Sequence, residues 1–259
     1  MTAAQDILID QCADGVVRIT INRPHKHNAL AGRVLDALAQ AIRDAGAQPN
    51  TRLILLSGSG DRFFAAGGDL LELSSIRDET ATQAMAENSR NALDAIRQCP
   101  APVLAYLNGD AIGGGAELAL ACDNRLQATH ARIGFIQARL AIGSAWGGGP
   151  DLCQLVGSSR AFRMMSRCEM IDASQALAWG LADVVVSDGM DGADMQRYLE
   201  PMLACPIHVL RAIKAQTAAW KSGQTYQQRR DVERTQLMST WLHDAHWHAS
   251  DRFLAKGSK

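Results

Sequence analysis

The stretch NGDAIGGGAELALACD (108–123) decides how this chain is read, because an apolar strand, VLAYL, runs into three consecutive glycines and the glycines open a helix that carries a carboxylate, Glu117, in its first turn. Glycine lets the backbone approach a ligand closely, and a helix N-terminus presents unpaired N–H groups at the positive end of the macrodipole. A second stretch has the same order: after the strand candidate LILLSGSG, the turn AAGGD (65–69) opens the helical LLELSSI. Two such termini can converge on one oxygen. Fixed N–H donors stabilise the negative charge a thioester carbonyl gains when its α-proton leaves or a nucleophile adds to its conjugated double bond. The amides expected to do this are those of Gly68 and Gly114.

Glu117 follows Gly114 by three residues, about one turn, which brings its carboxylate beside whatever Gly114 polarises. Taken alone, such a carboxylate is more often a helix cap helped by the dipole than an acid/base.

Outward from these turns, strands and helices alternate. VVRITI (16–21) alternates apolar and polar and stops at Pro24. Leu30, Val34, Leu35, Leu38 and Ile42 then make one helix face. A long helix is expected over about 79–99, paired strand segments over about 123–135, and DVVVSD (183–188) as a further strand. From Gly147 the chain turns mainly helical. This is an α/β pattern with a helical tail.

Composition excludes more than it identifies. The 259 residues are 47% apolar and 20% charged, with a formal net charge of −1, which gives no electrostatic footprint for nucleic acid or an anionic membrane. No basic-then-apolar leader opens the chain, so a cytoplasmic location is expected. The six cysteines include no C-x-x-C pair and read mostly as small buried hydrophobes. His243, His246 and His248 are close in sequence but lack an accompanying carboxylate motif, so no metal site is expected. There is no phosphate-binding loop, no nucleophile elbow and no complete dinucleotide fingerprint.

FFAAGGDLLEL (63–73) resembles the first oxyanion loop of the crotonase (enoyl-CoA hydratase/isomerase) superfamily, and NGDAIGGGAELALACD resembles its second, glutamate included. NRPHKHNAL, GLADVVV and the stretch ERTQLMSTWLHDAHWHA resemble further landmarks of that family in the same order, over about residues 16–253. The resemblance implies a crotonase-like ββα spiral core, taken here as residues 1–195, and a C-terminal helical trimerisation segment, residues 196–259. It implies a homotrimer or homohexamer acting on acyl-CoA, with no cofactor beyond the coenzyme A of the substrate. Gly68 and Gly114 take the oxyanion roles and Glu117 the acid/base role. Lys26, Ala66, Gly68, Asp69, Leu70, Leu71 and Gly114 lie along the acyl-CoA path.

The pattern breaks at one position. Family hydratases carry a second glutamate in a stretch like F-G-x-P-E; counting from Gly134 in ARIGFIQARLAIG puts Gln137 there. Glutamine cannot shuttle a proton, although it can hold a water. Hydration or dehydration of a 2-enoyl/3-hydroxyacyl-CoA pair is the leading expectation. Single-carboxylate reactions such as decarboxylation or double-bond isomerisation are the alternatives, and a catalytically weak acyl-CoA-binding protein is the alternative outside enzymology. Trp146, in SAWGGG (144–149), reads equally as packing or as a pocket wall.

Overall fold

A computed structural model describes residues 5–257. Strands β1 (Ile7–Gln11) and β2 (Val16–Ile21) form an antiparallel hairpin, and β2 then pairs in parallel with β3 (Leu53–Gly58). Together with β5 (Val103–Leu107), β7 (Asn124–Ala128) and β10 (Val184–Val186) they make a six-stranded sheet in the order β1-β2-β3-β5-β7-β10. Its middle strands β3 and β5 are buried along their whole length, which is why they read as continuous apolar runs rather than alternating ones.

Between these strands the chain repeatedly visits a second sheet. Strands β4 (Phe63–Ala65), β6 (Asp110–Ile112), β8 (Ile133–Gly134) and β9 (Met170–Ile171) form it in that order, with β9 antiparallel. So β3 with β4, β5 with β6, and β7 with β8 each place one strand in the large sheet and the next in the small one, followed by helical structure. This is the repeated ββα spiral the resemblance implied. One expectation is corrected: the segments within 123–135 are strands but not paired with each other, since β7 lies between β5 and β10 while β8 lies between β6 and β9.

The helices are α1 (Gly32–Ala47), α2 (Leu70–Leu73), α3 (Glu79–Arg97), α4 (Gly114–Ala121), α5 (Gly148–Val156), α6 (Ser158–Arg167), α7 (Ala173–Trp179), α8 (Ala193–Ala204), α9 (Ile207–Lys221), α10 (Tyr226–Trp241) and α11 (Asp244–Gly257). Val34, Leu35, Leu38 and Ile42 of α1 are buried, as the spacing predicts, and α1 packs against α3. Asp78 starts α3 by accepting from the Ala81 amide at 2.9 Å. All eight residues of α4 are buried, so the helix that carries Glu117 is enclosed on every side.

The expected boundary at residues 195/196 falls inside α8, whose Met195 and Leu199 belong to the core. Beyond it, α9 is tied down by Lys214, which is buried and donates to both carboxylate oxygens of Asp123 at 2.8 and 2.7 Å. By contrast α10 buries no residue, and Leu237, Met238, Trp241 and Leu242 stand exposed, as do Trp247 and Phe253 on α11. His243 stacks on His208 with ring centroids 3.7 Å apart, and His246 lies beside Trp241 at 4.5 Å, so aromatic packing engages these rings. Cys99, Cys122 and Cys168 are buried, and burial pushes the Cys122 thiol up to about 12; Cys153 is the exposed one.

Candidate functional site

Register brings the two glycine turns together. In the small sheet Ala65 pairs with Ala111, and counting three residues on from each reaches Gly68 and Gly114. Adjacent parallel strands lie ~4.8 Å apart. The turns therefore leave the sheet side by side and pointing the same way. Gly67 and Gly113 have φ of +89° and +55°, which turn the chain sharply before each helix. The approach is close: a β-carbon on Gly67 would stand 3.3 Å from the Gly114 nitrogen.

An isolated parallel bridge pairs Leu30 with Gly68 through the neighbouring amides, Leu30 N–H donating to Gly67 O at 2.8 Å and Asp69 N–H to Leu30 O at 3.4 Å. In such a bridge the N–H of the central residue, Gly68, points to the opposite side. Gly114 is the first residue of α4 and has no acceptor one turn back. Both amides are thus available to a ligand oxygen.

Glu117 is 2% exposed and holds three hydrogen bonds. Its Oε2 accepts from the backbone amides of Trp146 at 3.0 Å and Gly148 at 2.9 Å, and its Oε1 accepts from the Gln137 side chain at 2.9 Å. Gly148 must be glycine for this, because a β-carbon there would fall 2.4 Å from Glu117 Cγ. Burial pushes the carboxyl above the ordinary carboxylate range, against the opposing pull of these donors. A carboxyl so placed keeps its proton to a higher pH than an exposed one.

The indole of Trp146 was undecided from sequence between packing and wall, and it does both. It is almost fully buried, and its Cη2 lies 2.5 Å from where a β-carbon on Gly114 would be and 3.7 Å from one on Gly68. The six-membered ring therefore spans both turns. It also lines an apolar cavity of about 350 Å³ with Leu30, Leu35, Leu73, Ile76 and Met85.

The remaining expected residues divide. The Asp69 carboxylate is engaged by the buried Arg23 at 3.0 Å; burial alone would raise Asp69, but the hydrogen bond and charge of Arg23 outweigh it and hold it below its usual range. Ala66 donates its amide to His27 O at 3.1 Å, which lays the loop carrying Lys26 beside the first glycine turn. The Lys26 side chain is exposed. Leu70 and Leu71 are exposed on α2, Leu71 at 74%. Sequence reasoning missed Arg23, whose partner is 46 residues away, and the Trp146 and Gly148 amides. The glycine run at 147–149 was the available signal for the latter.

Similarity to known proteins agrees with this architecture. The profile of the enoyl-CoA hydratase/isomerase family matches residues 11–259. An ethylmalonyl-CoA decarboxylase of Xenopus tropicalis is 30% identical over 203 residues, 78% of this chain and 68% of the relative. A mitochondrial methylglutaconyl-CoA hydratase of Mus musculus is 32% identical over 178 residues, covering 69% of this chain and 56% of that protein. Among solved structures, the enoyl-CoA hydratase of Bacillus anthracis superposes with a TM-score of 0.89 at 28% identity, covering 97% of both chains. With a profile match over nearly its whole length, the chain belongs to the enoyl-CoA hydratase/isomerase family.

Proposed function

We propose that the protein is an acyl-CoA lyase that hydrates a 2-enoyl-CoA, or dehydrates the 3-hydroxyacyl-CoA, through a thioester enolate held by the amides of Gly68 and Gly114, with Glu117 as the one proton carrier. Water adds through oxygen to the β-carbon while Glu117 takes its proton. The displaced electron pair moves to the thioester oxygen, and Glu117 returns the proton to the α-carbon. Gln137 holds the water through its amide. The observation that supports this reading most directly is the buried, three-times hydrogen-bonded carboxylate of Glu117 one turn from the Gly114 amide.

A second reading has specific support. Gln137 offers an amide where two-carboxylate hydration uses an acid, and one of the similar proteins is named for decarboxylating ethylmalonyl-CoA. In decarboxylation the leaving CO₂ gives up its bonding pair to form the enolate, and Glu117 alone delivers the proton to the α-carbon. A panel of 2-enoyl-, 3-enoyl-, 3-hydroxyacyl- and malonyl-type CoA thioesters scored by product mass separates the two. Binding of all members without turnover of any would overturn both in favour of a binding protein.

The same reading extends to the path of the coenzyme, with Lys26, Ala66 and residues 68–71 along it and no further cofactor. It also extends to a division into a core (1–195) and a helical segment (196–259), the latter still tied to the core through Leu199 of α8, that assembles the chain as a homotrimer or homohexamer. The uncovered apolar faces of α10 and α11 support assembly. A cytoplasmic location rests on six unpaired cysteines, which suit a reducing compartment.

A further inference from the structure

Glu117 is wired to the protein surface through a single peptide group. The peptide that joins Ala145 to Trp146 donates its N–H to Glu117 Oε2 at 3.0 Å. The carbonyl of that same peptide accepts from Arg90 Nε of α3 at 2.9 Å. In a planar trans peptide C=O and N–H point in opposite directions, so the guanidinium and the carboxylate sit at the two ends of one conjugated unit. A cation on the carbonyl draws electron density toward oxygen and makes the N–H a stronger donor, since hydrogen bonds in a chain polarise one another.

We propose that Arg90 is a positioning residue for the acid/base step, polarising the Ala145–Trp146 peptide so that its N–H holds the Glu117 carboxylate in orientation and favours the ionised form. This rests on the assignment of Glu117 as proton carrier. Most of the other charged groups on elements packed around α4 are held by partners; on α3 itself Glu79 and Glu87 carry no ion pair among the described residues, and Glu87 accepts from the Gln83 side chain at 2.8 Å. On α3 and α5, Arg97 bridges Asp94 and Asp151 at 2.7 Å each. Asp110 of β6 pairs with Arg132, and Arg139 of the turn after β8 donates to Cys168 O. At the far end of α4, Asp123 is held by Lys214 and Lys221. No carboxylate pairs with Arg90 among the described residues, so its charge is left to act on the Ala145 carbonyl.

The test needs no substrate. Infrared difference titration of the full chain follows the carboxyl stretch that Glu117→Gln removes, and this assigns the band. Arg90→Met should move its midpoint upward by on the order of one pH unit. Arg90→Lys, which keeps a charged donor, should move it much less. Arg90→Gln, a neutral donor, gives the same reading should the methionine variant not fold. The acid limb of kcat/KM with a short 2-enoyl-CoA should follow the same order. An unchanged midpoint in the neutral variants would overturn the proposal and leave Arg90 as a surface tie between α3 and the 145 loop. Full activity of Glu117→Gln would instead overturn the catalytic assignment, while the infrared midpoint would still report whether Arg90 acts on this carboxyl.

Discussion

Gln137 presents its nitrogen, at 2.9 Å, to Glu117 Oε1, so a hydrogen-bond donor stands where a second acid would put a competing negative charge. Replacing it by Gln137→Glu sets two carboxylates at that distance, and like charges so close cannot both ionise. The pair should share a proton, with one group raised well above the carboxylate range. A raised group contributes stability that is present below its unfolded value and lost as pH rises through the folded one. The variant should therefore lose stability relative to the parent on going to neutral pH, as denaturant titrations at two pH values would show. Hydration of a short 2-enoyl-CoA should rise; no rise would favour the decarboxylation reading.

Glu117→Gln should fold and should lose turnover by ~10²-fold or more while binding CoA thioesters as before. Its carbonyl can accept from the Trp146 and Gly148 amides, and its nitrogen can donate to a flipped Gln137, so every group keeps a partner. Because burial raises the native carboxyl, ionising it opposes folding above the ordinary carboxylate range. The glutamine variant should accordingly gain on the parent as pH rises through that window. A variant that falls relative to the parent as pH rises through that window would contradict this sign.

Gly114→Ala places a β-carbon 2.2 Å from Trp146 Cζ3, well inside contact distance. Overpacking of this kind costs about 1–3 kcal/mol. If the indole is what it meets, Gly114→Ala should cost little when made in a Trp146→Ala background. A double-mutant cycle on denaturant midpoints measures the coupling.

Trp146→Ala by itself removes the partition between the glycine turns and the 350 Å³ cavity under α3. Stability should fall by about 3–5 kcal/mol. The kcat/KM ratio of bulkier to short thioesters should increase, measured as a competition between two chain lengths in one reaction. An unchanged ratio would show that the indole packs without selecting.

Lys214→Met leaves Asp123 without the cation that bonds both its oxygens. Removing one partner of a buried pair costs roughly 3–5 kcal/mol, and Lys221, 3.7 Å away, should keep the loss at the low end. Adding Asp123→Asn should restore part of it, as read from the denaturation midpoint.

Much of this was legible in the chain. Strands β3 and β5 announce themselves because burial on both faces leaves an unbroken apolar run, and α1 because one face repeats. Strands β4, β6, β8 and β9 are two or three residues long, too short to show a period. Without them 123–135 looked like a hairpin, yet they bring the glycine turns side by side. Gly68, Gly114 and Glu117 were visible as residue types at a helix start. Gln137 was visible only by counting from Gly134. The Trp146 and Gly148 amides were not, because a backbone donor has no side-chain signature, and the Arg23–Asp69 pair is set by tertiary proximity.

The pairing of Ala65 with Ala111 has an evolutionary consequence. Because Gly68 and Gly114 are launched from neighbouring strands, the gap between them is inherited from interstrand spacing, a property every sequence with this sheet shares. Side chains have no lever on it. Glu117, Gln137 and Trp146, in contrast, arrive from a helix, a turn and a loop, outside the two strands that set that gap. Substitutions at those three positions could therefore alter the chemistry while the two strands that set the proposed oxyanion site stay as they are.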